Sequence, residues 1–108
     1  MKRGDLVTVA AQGDYGKPRP AVVIQSDALV DADSVLVALL TSALNDAPFY
    51  RLSLEPTETN GLKAPSQVMI DKIIAYPRAK CGAVIGRLSQ QDMLALNSRL
   101  SVMIGLAD

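Results

Sequence analysis

Apolar residues along the chain fall into short runs separated by polar, glycine- and proline-bearing stretches, until a longer periodic segment at the end. The runs at Leu6–Ala11, Ala21–Gln25 and Val35–Thr41 have strand length and β-branched content. In the first, Leu6 and Thr8 fall on one face and Val7 and Val9 on the other. Phe49–Leu54 alternates in strand fashion. Ser66–Ile70 and Lys72–Tyr76 read as a strand pair or one bent strand, stopped by Pro77, and Ala83–Ile85 as one more short strand. Between them, residues 12–18 form a loop, because two glycines and a proline in seven residues prevent regular structure. Residues 26–34 are an aspartate-bearing connection and Asn45–Pro48 a turn. Glu55–Gly61 is a loop or a single helical turn.

The last segment changes period. Ser89 is a candidate N-cap with Asp92 three positions on, in a capping-box-like arrangement. Met93, Leu94, Leu96, Leu100, Met103 and Ile104 then recur at helical spacing, a stripe that predicts core or interface packing, and Gly105 closes the helix. Many short strands followed by one helix predict a small β-barrel or α+β plan in one domain spanning residues 1–108.

Composition narrows the chemistry. With 49% hydrophobic and 20% charged residues the chain is globular, and a formal net charge of zero argues against a strong non-specific nucleic-acid binder. A local basic groove stays open. No apolar run approaches the length of a membrane helix, and residues 1–5 carry no apolar signal region behind their charges. Cys81 is the only cysteine, which suits a reducing cytoplasm. There is no histidine, which removes the usual general acid/base, the usual transition-metal ligand and a Ser-His-Asp triad together.

Candidate chemistry centres on Gly16-Lys17-Pro18-Arg19-Pro20. An arginine between two prolines is held in a stiff extended backbone where a loop meets a strand, a place to grip a phosphate or simply to face solvent. Thr41 and Ser42 close the Val35–Thr41 strand. Their hydroxyls can donate to an anion or satisfy the strand terminus. Asp14, in the glycine loop, can serve as a base or cap a turn. Asp27, Asp31 and Asp33 lack the glycine and terminal glutamate of a calcium loop, so no metal site is expected. Lys17, Arg51, Lys63, Lys72, Arg78 and Lys80 are scattered cations, most of them a solvated face. Cys81 has no histidine partner and reads as an inert thiol.

The succession Lys2-Arg3-Gly4-Asp5-Leu6-Val7, Arg19-Pro20-Ala21-Val22-Val23-Ile24 and Leu39-Leu40-Thr41-Ser42 resembles the MazF/PemK family of toxin endoribonucleases. Gly61-Leu62, Ser66-Gln67-Val68 and the ending Val102-Met103-Ile104-Gly105 continue it over almost the whole chain. The resemblance implies an SH3-like barrel of antiparallel strands with a C-terminal helix, working as a homodimer. It implies metal-independent, cofactor-free, sequence-specific cleavage of single-stranded RNA, and neutralisation by a cognate antitoxin protein. On this resemblance Arg19 and Thr41 are the catalytic pair, with Ser42 beside it. Asp14 is the candidate general base, and Lys17, Ser66 and Gln67 are candidate catalytic or RNA-binding positions. The chain departs from some members where Ser66 replaces an acidic residue, Ala64 an arginine, and no histidine occupies the first loop. The same fold serves CcdB-type toxins that bind DNA gyrase, which rely on an aromatic C-terminal tail. This chain ends Gly105-Leu106-Ala107-Asp108. A catalytically inactive binding module is the other alternative.

Overall fold

The computed structural model describes residues 1–10, 17–46 and 48–108. Six antiparallel strands, β1 (Asp5–Val9), β2 (Arg19–Val23), β3 (Ser34–Thr41), β4 (Arg51–Leu54), β5 (Ser66–Pro77) and β6 (Val84–Arg87), form one sheet in the order β4-β5-β3-β2-β1-β6. A helix, α1 (Gln90–Met103), follows. The sheet curls into a half-barrel. Its end strands β4 and β6 do not pair, and the β4–β5 connection reaches across, with Arg87 N–H donating to Thr59 O at 2.9 Å.

Strand alternation sets two cores on opposite faces of β1–β3. Leu6, Val22, Ala38 and Leu40 join Leu52, Leu54, Val68, Ile70 and Leu96 on one side. Val7, Val9, Ala21, Val23, Val35 and Val37 pack on the other with Ile74, Tyr76 and Cys81. The faces expected for β1 are therefore those observed. A curled sheet can bury both faces of its middle strands, which is why these runs are almost continuously apolar.

The region from Ser66 to Pro77 is one bent strand. Ser34–Ala38 pair with Ile73–Pro77, and Leu40 and Thr41 with Val68 and Gln67, so residues 69–72 of β5 face only Leu39. This irregularity bends the strand and increases its twist. The strand ends at Pro77, which pairs with Ser34 as its last rung, where a missing N–H is tolerated. Other boundaries shift as well: β1 ends at Val9 rather than Ala11, and β2 runs Arg19–Val23 rather than Ala21–Gln25. Phe49 and Tyr50 lie in a turn, and the strand begins at Arg51; the last strand is Val84–Arg87 rather than Ala83–Ile85. The aspartate-bearing connection carries a single 3-10 turn at Asp27–Leu29, started by Ser26 Oγ accepting from Ala28 N–H.

Helix α1 begins and ends as its sequence predicts. Ser89 Oγ accepts from Asp92 N–H at 3.1 Å. At the other end Gly105 adopts φ +75°, Leu106 N–H donates to Ser101 O and Gly105 N–H to Val102 O, the double bond of a Schellman cap. The apolar stripe is divided, however. Leu96 is fully buried, and Met93 and Leu100 pack beside it, but Leu94, Met103 and Ile104 are exposed. One face of the helix thus serves the core and leaves other apolar residues of the stripe uncovered.

Candidate active site

The β2–β3 ladder ends at the pair Ala21 and Leu39. Beyond it, the first residue of β2, Arg19, and the last of β3, Thr41, border a cleft of about 370 Å³. Ser42 and Ser66 line the same cleft. Arg19 reaches this place because Pro18 and Pro20 hold it extended and β1 fixes it, with Val9 as its partner across the ladder. It is exposed at the cleft rim.

Thr41 and Ser42 stand where β3 leaves the sheet. Thr41 Oγ1 accepts from Ala43 N–H at 3.0 Å, so the hydroxyl hydrogen remains as a donor. The reading in which this hydroxyl satisfies the strand end is thus the observed one, and the residue also lines the cleft. Ser66, at the start of β5, is buried and donates its hydroxyl to Ala64 O at 2.9 Å. It supplies no carboxylate to the cleft.

The other candidate residues are placed differently. Lys17 is exposed and is not among the residues lining the cleft. Gln67 is 3% exposed and its amide is consumed internally. It accepts from Asn45 N–H at 3.1 Å and Arg51 Nη1 at 3.0 Å, and donates to Asn45 O at 3.0 Å and Ser53 Oγ at 3.2 Å. Asp14 lies outside the described residues.

The opposite wall of the cleft comes from residues 61–64, and the sequence reading missed what builds it. Asn60 is 3% exposed. Its Oδ1 accepts from the backbone N–H of Thr57 and of Leu62, each at 3.0 Å, and its Nδ2 donates to Glu55 O at 2.8 Å. Thr57 Oγ1 returns a bond from Asn60 N–H. Gly61 follows at φ +68°, where a Cβ would drive into the carbonyl oxygen of Ile85. The Thr-Glu-Thr-Asn-Gly segment carries the signal for such a side-chain-organised turn. Lys63, set aside above with the scattered cations, lies on this wall. The charged residues lining the cleft among the described residues are thus Arg19 and Lys63, both cationic. A concave site with two cations, two strand-end hydroxyls and apolar walls from Leu40, Leu62 and Ile85 suits an anionic group with flat apolar parts.

Among the described residues no group of three or more His, Cys, Asp or Glu side chains is arranged to hold a metal ion. Of the aspartates of the 27–33 connection, Asp27 makes a local contact, its Oδ1 accepting from Arg3 N–H at 2.7 Å. Burial pushes the Cys81 thiol pKa up, partly offset by the Arg78 guanidinium. That direction disfavours the thiolate and fits an inert thiol. No helix among the described residues is long and apolar enough to cross a membrane.

Comparison with known proteins bears on the same span. The chain is 43% identical over 108 residues to the "Probable endoribonuclease MazF" of Mycolicibacterium smegmatis, covering 99% of both chains. Its fold matches a mycobacterial endoribonuclease solved in complex with its cognate antitoxin, with a TM-score of 0.81 at 19% identity, over 98% of this chain and 96% of that one. It also matches the Mycobacterium tuberculosis toxin MazF-mt6, with a TM-score of 0.79 at 20% identity, over 94% and 96% of the two chains. Residues 2–104 match the profile of the PemK-like, MazF-like toxins of type II toxin-antitoxin systems, and the chain belongs to that family.

Proposed function

We propose that this protein is the toxin of a toxin-antitoxin pair and cleaves single-stranded RNA in the Arg19–Thr41 cleft without a metal ion. The observation that carries the reading is the convergence of Arg19, Thr41 and Ser42 on one cleft whose other charged residue, Lys63, is also cationic. The 43% identical relative named as a probable endoribonuclease supports it.

The chemistry follows from the residue types. The RNA 2′-hydroxyl attacks the adjacent phosphorus, and the bond from phosphorus to the 5′-oxygen breaks. The products are a 2′,3′-cyclic phosphate and a free 5′-hydroxyl. Negative charge grows on the non-bridging oxygens as the phosphorus becomes five-coordinate. A guanidinium fork at Arg19 matches two of them, and Thr41 Oγ1 donates to the phosphate. A proton leaves the 2′-hydroxyl and another reaches the departing 5′-oxygen. Arg19 sits on the phosphate and serves the second role; Asp14 is the carboxylate proposed for the first. Lys63 on the facing wall adds attraction for the backbone.

The active form is proposed to be a homodimer. Ile104 is more than half exposed, as is Leu106 just beyond, and Leu36 of β3, which lines the same groove, is 41% exposed. A groove of about 480 Å³ runs between this end of the helix and Ile24, Leu36 and Ile73. A second copy covering that surface would remove apolar area that a lone chain leaves in water. The antitoxin is proposed to occupy the Arg19 cleft with an acidic or apolar segment, as local charge complementarity requires when the net charge is zero.

Incubation of the purified protein with long RNA of varied sequence, with and without excess EDTA, tests the reading. Equal cleavage in both arms, suppressed by the cognate antitoxin, is the expected result. An intact RNA in both arms, with a folded protein, overturns it.

A further inference from the structure

We propose that Arg51 is a positioning residue of this cleft, which with Gln67 holds the Thr41–Asn45 segment so that the Thr41 hydroxyl is presented to the phosphate. The inference rests on the ribonuclease reading for its kinetic consequence, and on geometry alone for its structural one.

The β3–β5 ladder makes its last rung at Thr41 and Gln67. Past that point the backbone of residues 42–46 has no strand partner, yet it is not left to itself. The Gln67 amide takes the place of a peptide group: it accepts from Asn45 N–H and donates to Asn45 O, a two-way rung made by a side chain. Arg51, on the neighbouring strand β4, then spans the segment. Its Nη1 donates to Gln67 Oε1 at 3.0 Å and to Ala43 O at 3.3 Å. Ala43 is the residue whose N–H donates to Thr41 Oγ1. Both backbone groups of Ala43 are therefore held, its carbonyl by Arg51 of β4 and its N–H by the Thr41 hydroxyl at the cleft.

One further detail bears on why this position carries an arginine. Arg51 Nε is buried with no hydrogen-bond partner among the described residues. A buried orphan donor is a cost that an aliphatic side chain at this position would not carry. Arginine retains that cost and supplies the fork that reaches both Ala43 and Gln67. Gln67 itself does not line the cleft. Its part, like that of Arg51, is exercised through the segment it grips.

The test uses the full chain with Arg51→Met, which keeps length and loses every donor, and Arg51→Lys, which keeps the charge and one donor group. Two readouts are taken. The first is amide hydrogen exchange at Ala43 and Asn45, measured against strand amides of β2 as an internal control. The second is single-turnover RNA cleavage with KM and kcat separated. We expect Arg51→Met to speed exchange at Ala43 and Asn45 selectively, and to lower kcat by about tenfold to a hundredfold with little change in KM, as a small displacement of a reacting group does. Arg51→Lys is expected to recover part of both effects. It also carries the test alone if Arg51→Met does not fold, since the lysine cannot span both acceptors and must still show faster exchange than the parent. Unchanged exchange at Ala43 and Asn45 overturns the proposal. So does a fall in cleavage that lies wholly in KM. If the unaltered protein cleaves no RNA while the exchange effect appears, the positioning stands and the ribonuclease reading falls.

Discussion

Arg19 and Thr41 are set against each other by the register of two neighbouring strands. The β2–β3 ladder pairs Val23 with Val37 and, as its last pair, Ala21 with Leu39, so Arg19 and Thr41 each lie two residues past its end. Both fall on the face of Ala21 and Leu39, because side chains alternate with a period of two. Thr8, Pro20 and Leu40, which line the same cleft, belong to the opposite face, so Arg19 and Thr41 border it at the end of the sheet, where the β2–β3 pairing stops. The proline on each side of Arg19 fixes the backbone there.

Thr41 should separate hydroxyl chemistry from shape. Thr41→Val keeps the branched side chain and loses the oxygen that accepts from Ala43 N–H. It is expected to lower kcat by roughly a hundredfold, the lower end of the range for a lost transition-state donor. Thr41→Ser is expected to retain most of the rate. Steady-state cleavage of a short defined RNA checks both; equal activity of the valine and serine variants would remove the hydroxyl from the mechanism.

The far wall of the cleft is predicted to depend on Asn60. Asn60→Ala leaves the N–H groups of Thr57 and Leu62 and the carbonyl of Glu55 without their side-chain partner. Loss of a buried group with several bonds costs about 1–3 kcal/mol. Urea denaturation followed by circular dichroism measures it. A variant as stable as the parent would show that the wall is held by other means.

The exposed part of α1 makes the dimer testable. Ile104→Asp adds a charge to a position 59% exposed in the single chain, so the fold should survive. If a second copy covers this surface, the variant becomes monomeric at micromolar concentration in analytical ultracentrifugation. Leu96→Ala, by contrast, empties a fully buried position and should cost about 2–5 kcal/mol in stability. A dimeric Ile104→Asp protein would place the interface elsewhere.

Cys81 gives a pH-dependent prediction. Burial holds its thiol pKa above the ordinary value, with Arg78 opposing in part. The folded state thus retains the proton more firmly than the unfolded chain. The associated stability is present below the unfolded pKa and is lost as pH rises through the folded one. Alkylation by iodoacetamide near pH 9 should therefore be slower for the native protein than for the protein in urea. Equal rates would contradict the direction of the shift.

Much of this arrangement was legible in the sequence. The strand runs, the Ser89 cap, the Gly105 stop and the loop–strand junction at Arg19 each rest on local physics of two to ten residues. Thr41 could be found as a strand terminus. What the sequence could not show depends on the sheet's order. Phe49 and Tyr50 sit inside a turn closed by Arg51 N–H donating to Pro48 O, so the strand begins at Arg51 although Tyr50 O still accepts from Ile70 N–H on β5. Gln67 looks like any strand glutamine until the bend in β5 sets it beneath Asn45. Lys63 joins the cleft only because the β4–β5 connection crosses to β6, and that crossing rests on Asn60 and on a glycine at φ +68°. The helix stripe divides for a similar reason: periodicity marks which residues are apolar, not how much of the helix one chain can cover.

The central claim is that this cleft breaks RNA by phosphate chemistry centred on Arg19. The most direct measurement is the end-group analysis of RNA treated with the purified protein in excess EDTA, beside Arg19→Ala. Arg19 is exposed, so the variant should melt with the parent. The account predicts fragments with 5′-hydroxyl and 2′,3′-cyclic phosphate ends from the parent. It predicts a rate lower by about a hundred- to a thousandfold in the variant, the cost of one lost charge-stabilising group. Fragments with 5′-phosphate ends, or an Arg19→Ala variant as active as the parent, would contradict it.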